Sequence, residues 1–433
     1  MKPTLVWTFP SLSPARDTRG HPAFKSIVMR MLWRFYTWRL TQAGRWFIWP
    51  TFGFLAYTSA SLDYYAFVPL CYACAIWLVA GIAAVVYPPR VKIESRHAER
   101  VCAGEVLPVQ VDVTWPRSQP RVDLYVLPHR LPDEIDPEPF DGALIPEPDD
   151  EGRSRVRLGL RCQKRGVYKL QGLRVETDFP FGLCRSARTH AQERTLLVYP
   201  QFQPLVRMDL AMGRRYQPGG VAMLSVVGDS VEYVGNREYR LGDNVRDIDW
   251  RATARLDHLI VREYREEYLL RVAVVLDTFV PDAGKPEKCD PQDLENFERA
   301  VSICAAVGDY LARQDYVVDL FAAGPNLYHL TAGRSIAYLD QILDILACLK
   351  ASDTEPFELV EPELCENLSR ISSVVCVFMN WNKQRRDFVD RLRRQGVGVK
   401  VVIVRDKSCI ENPATEGIPH FRAAEFARGV GEL

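Results

Sequence analysis

The sequence predicts an α/β protein: a doubly wound, mostly parallel sheet with helices on both faces, preceded by a transmembrane helical hairpin and a small β-sandwich. Three observations carry this. Between Trp46 and Pro89 the only formally charged side chain is Asp63. Beyond Pro88, short runs alternate apolar and polar residues. From Arg271 to Val404, nearly continuous apolar strands alternate with segments of helical spacing.

Length and composition set the frame. A chain of 433 residues, 47% hydrophobic and 25% charged, has room for two or three domains and excludes disordered or fibrous classes. The 55 basic and 55 acidic side chains cancel, so no global positive field gathers nucleic acid. Eleven cysteines, an odd number without a repeating frame, argue against a disulfide scaffold and for a reducing compartment. Cys71 and Cys74 have the spacing of a metal pair, but they sit in the apolar run without a second pair and read as lipid-facing or packing residues.

Residues 1–45 form an N-terminal tail. Its segment Phe24–Arg45 interleaves Ile27, Met31, Phe35 and Trp38 with arginines, and reads as an interfacial amphipathic helix or as a plain basic flank. The hairpin occupies 46–87, each arm close to the roughly 20 residues a crossing needs. The first arm is weakened by Pro50, Gly53, Thr58, Ser59 and Ser61, which leaves a kinked or shallow helix open; the second is firmer. Lys25, Arg30, Arg34, Arg39 and Arg45 precede the hairpin and Arg90, Lys92, Arg96 and Arg100 follow it, so both termini are expected in the cytoplasm.

Residues 88–190 are expected to form the sandwich, with Leu131–Gly152 as a mobile Pro- and acid-rich loop that has little to bury. A connecting segment, 191–270, includes a Gly-rich loop at Gly213–Gly228. The α/β domain occupies 271–405: strands at Arg271–Asp277, Tyr316–Phe321, Ser373–Met379 and Val397–Val404, an edge strand at Asn326–Leu330, and helices at Asp293–Gln314, around Ile336–Leu349, at Glu361–Ser369 and at Lys383–Gln395. A tail, 406–433, follows. Ligands of such sheets lie beyond the carboxyl ends of the strands, which singles out Asp277 and the Asn380-Trp381-Asn382 turn.

The chain lacks the Gly-x-x-x-x-Gly-Lys-Ser/Thr phosphate loop, so it is not expected to hydrolyse ATP as a P-loop enzyme. Gly-x-Ser-x-Gly and His-Glu-x-x-His are also missing, and the seven histidines form no ligand cluster in sequence. Only His258 lies in a dense motif, where a structural role is expected.

That motif runs from Asn236 to Arg255: Arg237-Glu238-Tyr239, Gly242-Asp243, Arg246-Asp247-Ile248-Asp249-Trp250 and Thr253-Ala254-Arg255, followed by Val261-Arg262-Glu263. On these residues the chain resembles the bacterial family called domain of unknown function 58. Leu40-Thr41 with Gly44, Arg165-Gly166 with Tyr168, and Asp178-Phe179-Pro180-Phe181-Gly182-Leu183 agree with that resemblance, which spans about residues 40 to 405. It implies a von Willebrand factor A-like (Rossmann-type) domain and partnership with a MoxR-type AAA+ ATPase.

Physically, so many arginines and carboxylates beside Tyr239 and Trp250 suit either a charged lid clamped onto its own domain or a docking surface for another protein. The candidate protein-binding residues are Arg237, Tyr239, Gly242, Asp243, Arg246, Asp249, Trp250, Arg255, Arg262 and Glu263. The von Willebrand A metal motif Asp-x-Ser-x-Ser is degenerate here. The turn reads Asp277-Thr278-Phe279-Val280-Pro281, so no metal or other cofactor is expected, and Asp277 and Thr278, with Thr331 or Asn380, are the weak candidates. The leading expectation is a non-enzymatic adaptor that holds unnamed client proteins. The rivals are a membrane-proximal hydrolase using Asp277 and a metal-dependent adhesion module.

Overall fold

The computed structural model describes residues 36, 39–60, 64–117, 119–210, 231–240, 243, 245–266, 271–285, 287–323, 327–332, 336–355, 357–407, 409–413 and 417–421. The chain divides into two units, Met1–Tyr199 and Pro200–Leu433.

The first unit opens with helices α1 (Gln42–Ala60) and α2 (Tyr64–Val86). Among the described residues one helical segment, Phe67–Val86 of α2, is long and apolar enough to cross a membrane. Its apolar side chains turn outward, Tyr72, Leu78, Ile82 and Val85 among them. Helix α1 packs on α2 through Phe47 and Trp77, whose rings are 6.0 Å apart, and Trp77 Nε1 donates to Thr51 Oγ1 at 3.3 Å. The hydroxyls that make α1 the less apolar arm bond back to their own helix: Thr51 to Phe47 O at 2.8 Å, Thr58 to Leu55 O at 2.9 Å, Ser59 to Leu55 O at 2.7 Å. The turn at Asp63 and most of Phe24–Arg45 lie outside the described residues.

Nine strands follow: β1 (Lys92–Arg96), β2 (Arg100–Cys102), β3 (Val106–Thr114), β4 (Tyr125–Pro128), β5 (Ile135–Glu138), β6 (Ala143–Leu144), β7 (Arg153–Cys162), β8 (Gly166–Thr177) and β9 (Ser186–Tyr199). They form one sheet ordered β1-β3-β7-β5 and a second ordered β2-β9-β8-β4-β6. Pairing is antiparallel except between β2 and β9. Alternation on β3 buries Leu107, Val109, Val111 and Val113 in a core shared with Leu158 of β7 and Val175 of β8.

Two expectations are corrected here. Leu131–Gly152 is not a bare loop: β5 pairs with β7, β6 pairs with β4, and Leu131, Ile135 and Ile145 enter the core. Acids and prolines between these few apolar residues mask the pattern. The last strand also runs past residue 190 to Tyr199, because Leu196 and Val198 at its far end are buried whereas its near half is polar.

The second unit begins with an antiparallel pair, β10 (Val231–Glu238) and β11 (Ile260–Glu266), with the short helix α3 (Trp250–Leu256) between them. Gly213–Gly228 lies outside the described residues. Then come β12 (Arg271–Leu276), α4 (Pro291–Arg313), β13 (Val317–Ala323), β14 (Leu327–Ala332), α5 (Ile336–Cys348), α6 (Phe357–Asn367), β15 (Ser373–Phe378), α7 (Lys383–Arg394), β16 (Gly398–Val404) and β17 (His420–Phe421). They build a sheet ordered β14-β13-β12-β15-β16-β17, parallel except for β14, which runs antiparallel to β13.

Helix α4 starts at an Asp290 cap, which accepts from Gln292 N at 3.0 Å, and buries Phe297, Val301, Cys304 and Leu311 at helical spacing. It packs against β12 and β13. Ala273 and Val275 of β12 face a cluster with Val360 and Leu364 of α6 and Phe388 and Leu392 of α7. Because β17 pairs with β16, the sheet extends past the expected boundary at 405. Chain order reverses between β12 and β15, and Asp277 follows β12 at that switch point.

Candidate functional site

Two constellations stand out in the second unit. The first is the end of β12. Asp277 and Arg385, the latter in the first turn of α7, are 0% and 1% exposed. Arg385 donates from Nε at 2.9 Å and Nη2 at 2.7 Å to Asp277 Oδ2. The same carboxylate accepts from Phe279 N at 3.1 Å and Met379 N at 3.4 Å. Arg385 also lies over the Phe357 ring, 5.4 Å from its centroid.

A guanidinium therefore stands where a cation would sit, and both carboxylate oxygens of Asp277 already accept hydrogen bonds. Thr278 is fully buried beside it, and Asn380 Oδ1 is held by Trp381 N at 2.9 Å and Ile410 N at 3.2 Å. The Thr331 side chain lies outside the described residues. These residues do not fit a divalent ion, which needs several unoccupied hard oxygens.

Sequence reasoning missed Arg385. The signal was present: Arg385 shares one helical face with Phe388, Val389 and Leu392, all buried.

The second constellation is the charged hairpin. Arg237 clamps Asp243 with two bonds, Nη1 to Oδ2 at 2.7 Å and Nη2 to Oδ1 at 2.8 Å, while Arg240 N donates to Asp243 Oδ2 at 2.7 Å. The Arg237 bonds, then the Arg240 amide, hold the Asp243 carboxyl down to about 2. Asp249 caps α3, accepting from Arg251 N at 3.1 Å and Ala252 N at 3.0 Å, and lies near Asn236 Nδ2 at 3.4 Å and Arg262 Nε at 3.5 Å. The Ala252 amide chiefly, helped by Asn236 and Arg262, lowers its pKa.

Thr253 Oγ1 accepts from Ile260 N at 3.0 Å and Tyr239 N donates to Leu259 O at 2.9 Å, which ties α3 and the strand ends together over buried Ile248, Ala252, Ile260 and Val261. His258 is structural in its contacts: Nδ1 meets Leu256 O at 2.7 Å and Nε2 lies 3.5 Å from Glu238.

The structure thus brings Arg237, Tyr239, Asp243, Asp249 and Arg262 into one tied module. Trp250 stays 63% exposed, and Val245, Arg246, Arg255 and Leu256 are exposed as well. Gly242 and the Glu263 side chain lie outside the described residues.

An open α/β sheet with an arginine-locked acid at its switch point, preceded by a charged hairpin module, defines the class of this unit. Residues 235–422 match the family described as Protein of unknown function DUF58. It is also similar to "Uncharacterized protein YeaD" of Bacillus subtilis (strain 168), 28% identical over 252 residues, covering 56% of this chain and 57% of that protein. The signatures at Leu40-Thr41 and Asp178–Leu183 lie outside the family match.

Proposed function

We propose that this chain is a non-enzymatic adaptor anchored in the bacterial inner membrane by its helical hairpin, with both termini in the cytoplasm. In this reading the second unit is a von Willebrand factor A-like protein-binding domain that acts with a MoxR-type AAA+ ATPase in maturing or remodelling client proteins. The strand order, with one antiparallel edge strand and an acid after the central strand, supports the domain reading. The outward-facing apolar surface of α2 and the arginines flanking the hairpin support the anchoring.

The observation that carries the proposal is the exposed face of the hairpin module. Its two most enclosed carboxylates are spent on internal bonds, whereas Trp250, Val245, Arg246 and Arg255 are exposed, and tryptophan and arginine are residue types favoured at interface centres. A hydrolase using Asp277 is disfavoured, because that carboxylate is enclosed and neutralised by Arg385. Affinity purification from solubilised membranes tests the reading. The wild-type chain retains an AAA+ ATPase, and Arg246→Glu loses it while folding is unchanged; retention by both forms contradicts docking through this face.

A further inference from the structure

Where α2 gives way to the sandwich, Val86 and Tyr87 form one wall of an open cavity of about 340 Å³, completed by Arg90, Arg117, Gln119 and Pro120. Its chemistry is that of an anion site. Arg90 and Arg117 are exposed, and among the described residues no carboxylate is paired with either. Gln119 is only 7% exposed; its Oε1 accepts from Arg90 N at 2.8 Å, but its buried Nε2 has no hydrogen-bond partner among the described residues. An enclosed donor of that kind carries an uncompensated desolvation cost until an acceptor arrives.

We propose that this cavity binds the phosphate of an anionic phospholipid headgroup, with Arg90 and Arg117 supplying charge and Gln119 Nε2 a neutral donor. Lipid rather than free phosphate is the source because the wall is the last turn of the apolar helix. Phe179 packs edge-on against Tyr87, with centroids 6.1 Å apart, and both rings are exposed, as aromatic side chains are at the boundary between acyl chains and water. The inference rests on the reading of α2 as a membrane crossing.

The test uses the full chain, purified in neutral detergent and offered phosphatidylglycerol or phosphatidylcholine of equal acyl length in native mass spectrometry. The wild type retains the anionic lipid roughly tenfold better, the scale of one or two charge-assisted bonds. The double variant Arg90→Ala/Arg117→Ala brings the ratio to about one, and Gln119→Leu, which fills similar space without a donor, lowers it in part. Circular dichroism of the double arginine variant matches wild type, since both arginines are exposed. Equal retention of both lipids by the wild type, or an unchanged preference in the double variant, overturns the site. Displacement by glycerol 3-phosphate as effective as by lipid overturns the lipid source. Alkaline carbonate extraction separates the two readings: release of the chain from native membranes defeats the crossing, whereas firm retention without lipid preference defeats the cavity alone.

Discussion

Arg385 places two donors on one oxygen of Asp277, at 2.9 and 2.7 Å, across 108 residues of sequence and out of contact with water. Taking two charges out of water is costly, so the pair is tolerated because each partner satisfies the other. Arg385→Met strands a buried carboxylate and is expected to cost about 3–5 kcal/mol. Asp277→Leu/Arg385→Met replaces the pair with apolar volume and costs clearly less. Denaturant unfolding of the three proteins checks this; equal losses in single and double variants contradict it.

Much of this sheet is legible in sequence. Runs such as Val272–Leu276 and Val374–Phe378 are apolar throughout because both faces are covered, and α4 announces itself by Phe297, Val301, Cys304 and Leu311. What stays hidden depends on distant partners. Strands of two to four residues such as β5 and β6 carry too little pattern to show a period, and Arg385 reads as one more cation in an arginine-rich helix until its carboxylate appears from another strand. The charged motif is conspicuous from Asn236 onward, but only the fold separates Asp243 and Asp249, turned to internal bonds, from Trp250, turned out.

Asp243 gives the hairpin an acid limit. Its folded-state pKa is depressed from 3.8 to about 2, so its stabilising contribution is fully present above the unfolded value and is lost as pH falls through this window. A carboxyl-carbon NMR titration is expected to show a midpoint near 2 that moves up toward 3.8 in Arg237→Ala. A wild-type midpoint already near 3.8 contradicts the clamp.

Asp249 closes the start of α3 and, with the burial of Ala252, helps a seven-residue helix persist there. Asp249→Ala is expected to cost about 1 kcal/mol, and Asp249→Asn much less because the amide oxygen still caps. Thermal unfolding ranks the two; identical losses point away from capping.

Gly44 touches the sandwich so closely that a Cβ there would lie 2.2 Å from Leu183 O, while Thr41 N donates to the same oxygen at 3.1 Å. Backbone cannot yield as a side-chain tip does. Gly44→Val is therefore expected to cost about 1–3 kcal/mol and to expose the junction around Leu183 to limited proteolysis. Gly53, with open space around it, tolerates the same change, and equal sensitivity at both positions would refute the close-contact argument.

The decisive property of this chain is whether the outward face of the charged hairpin holds another polypeptide. A photo-crosslinking amino acid placed at position 250 in cells, with position 294 on α4 as an exposed control, addresses this directly. The prediction is a covalent product with an AAA+ ATPase at 250, absent at 294 and lost on Arg246→Glu. Crosslinking confined to lipid and water at 250, in a folded and membrane-borne chain, contradicts it.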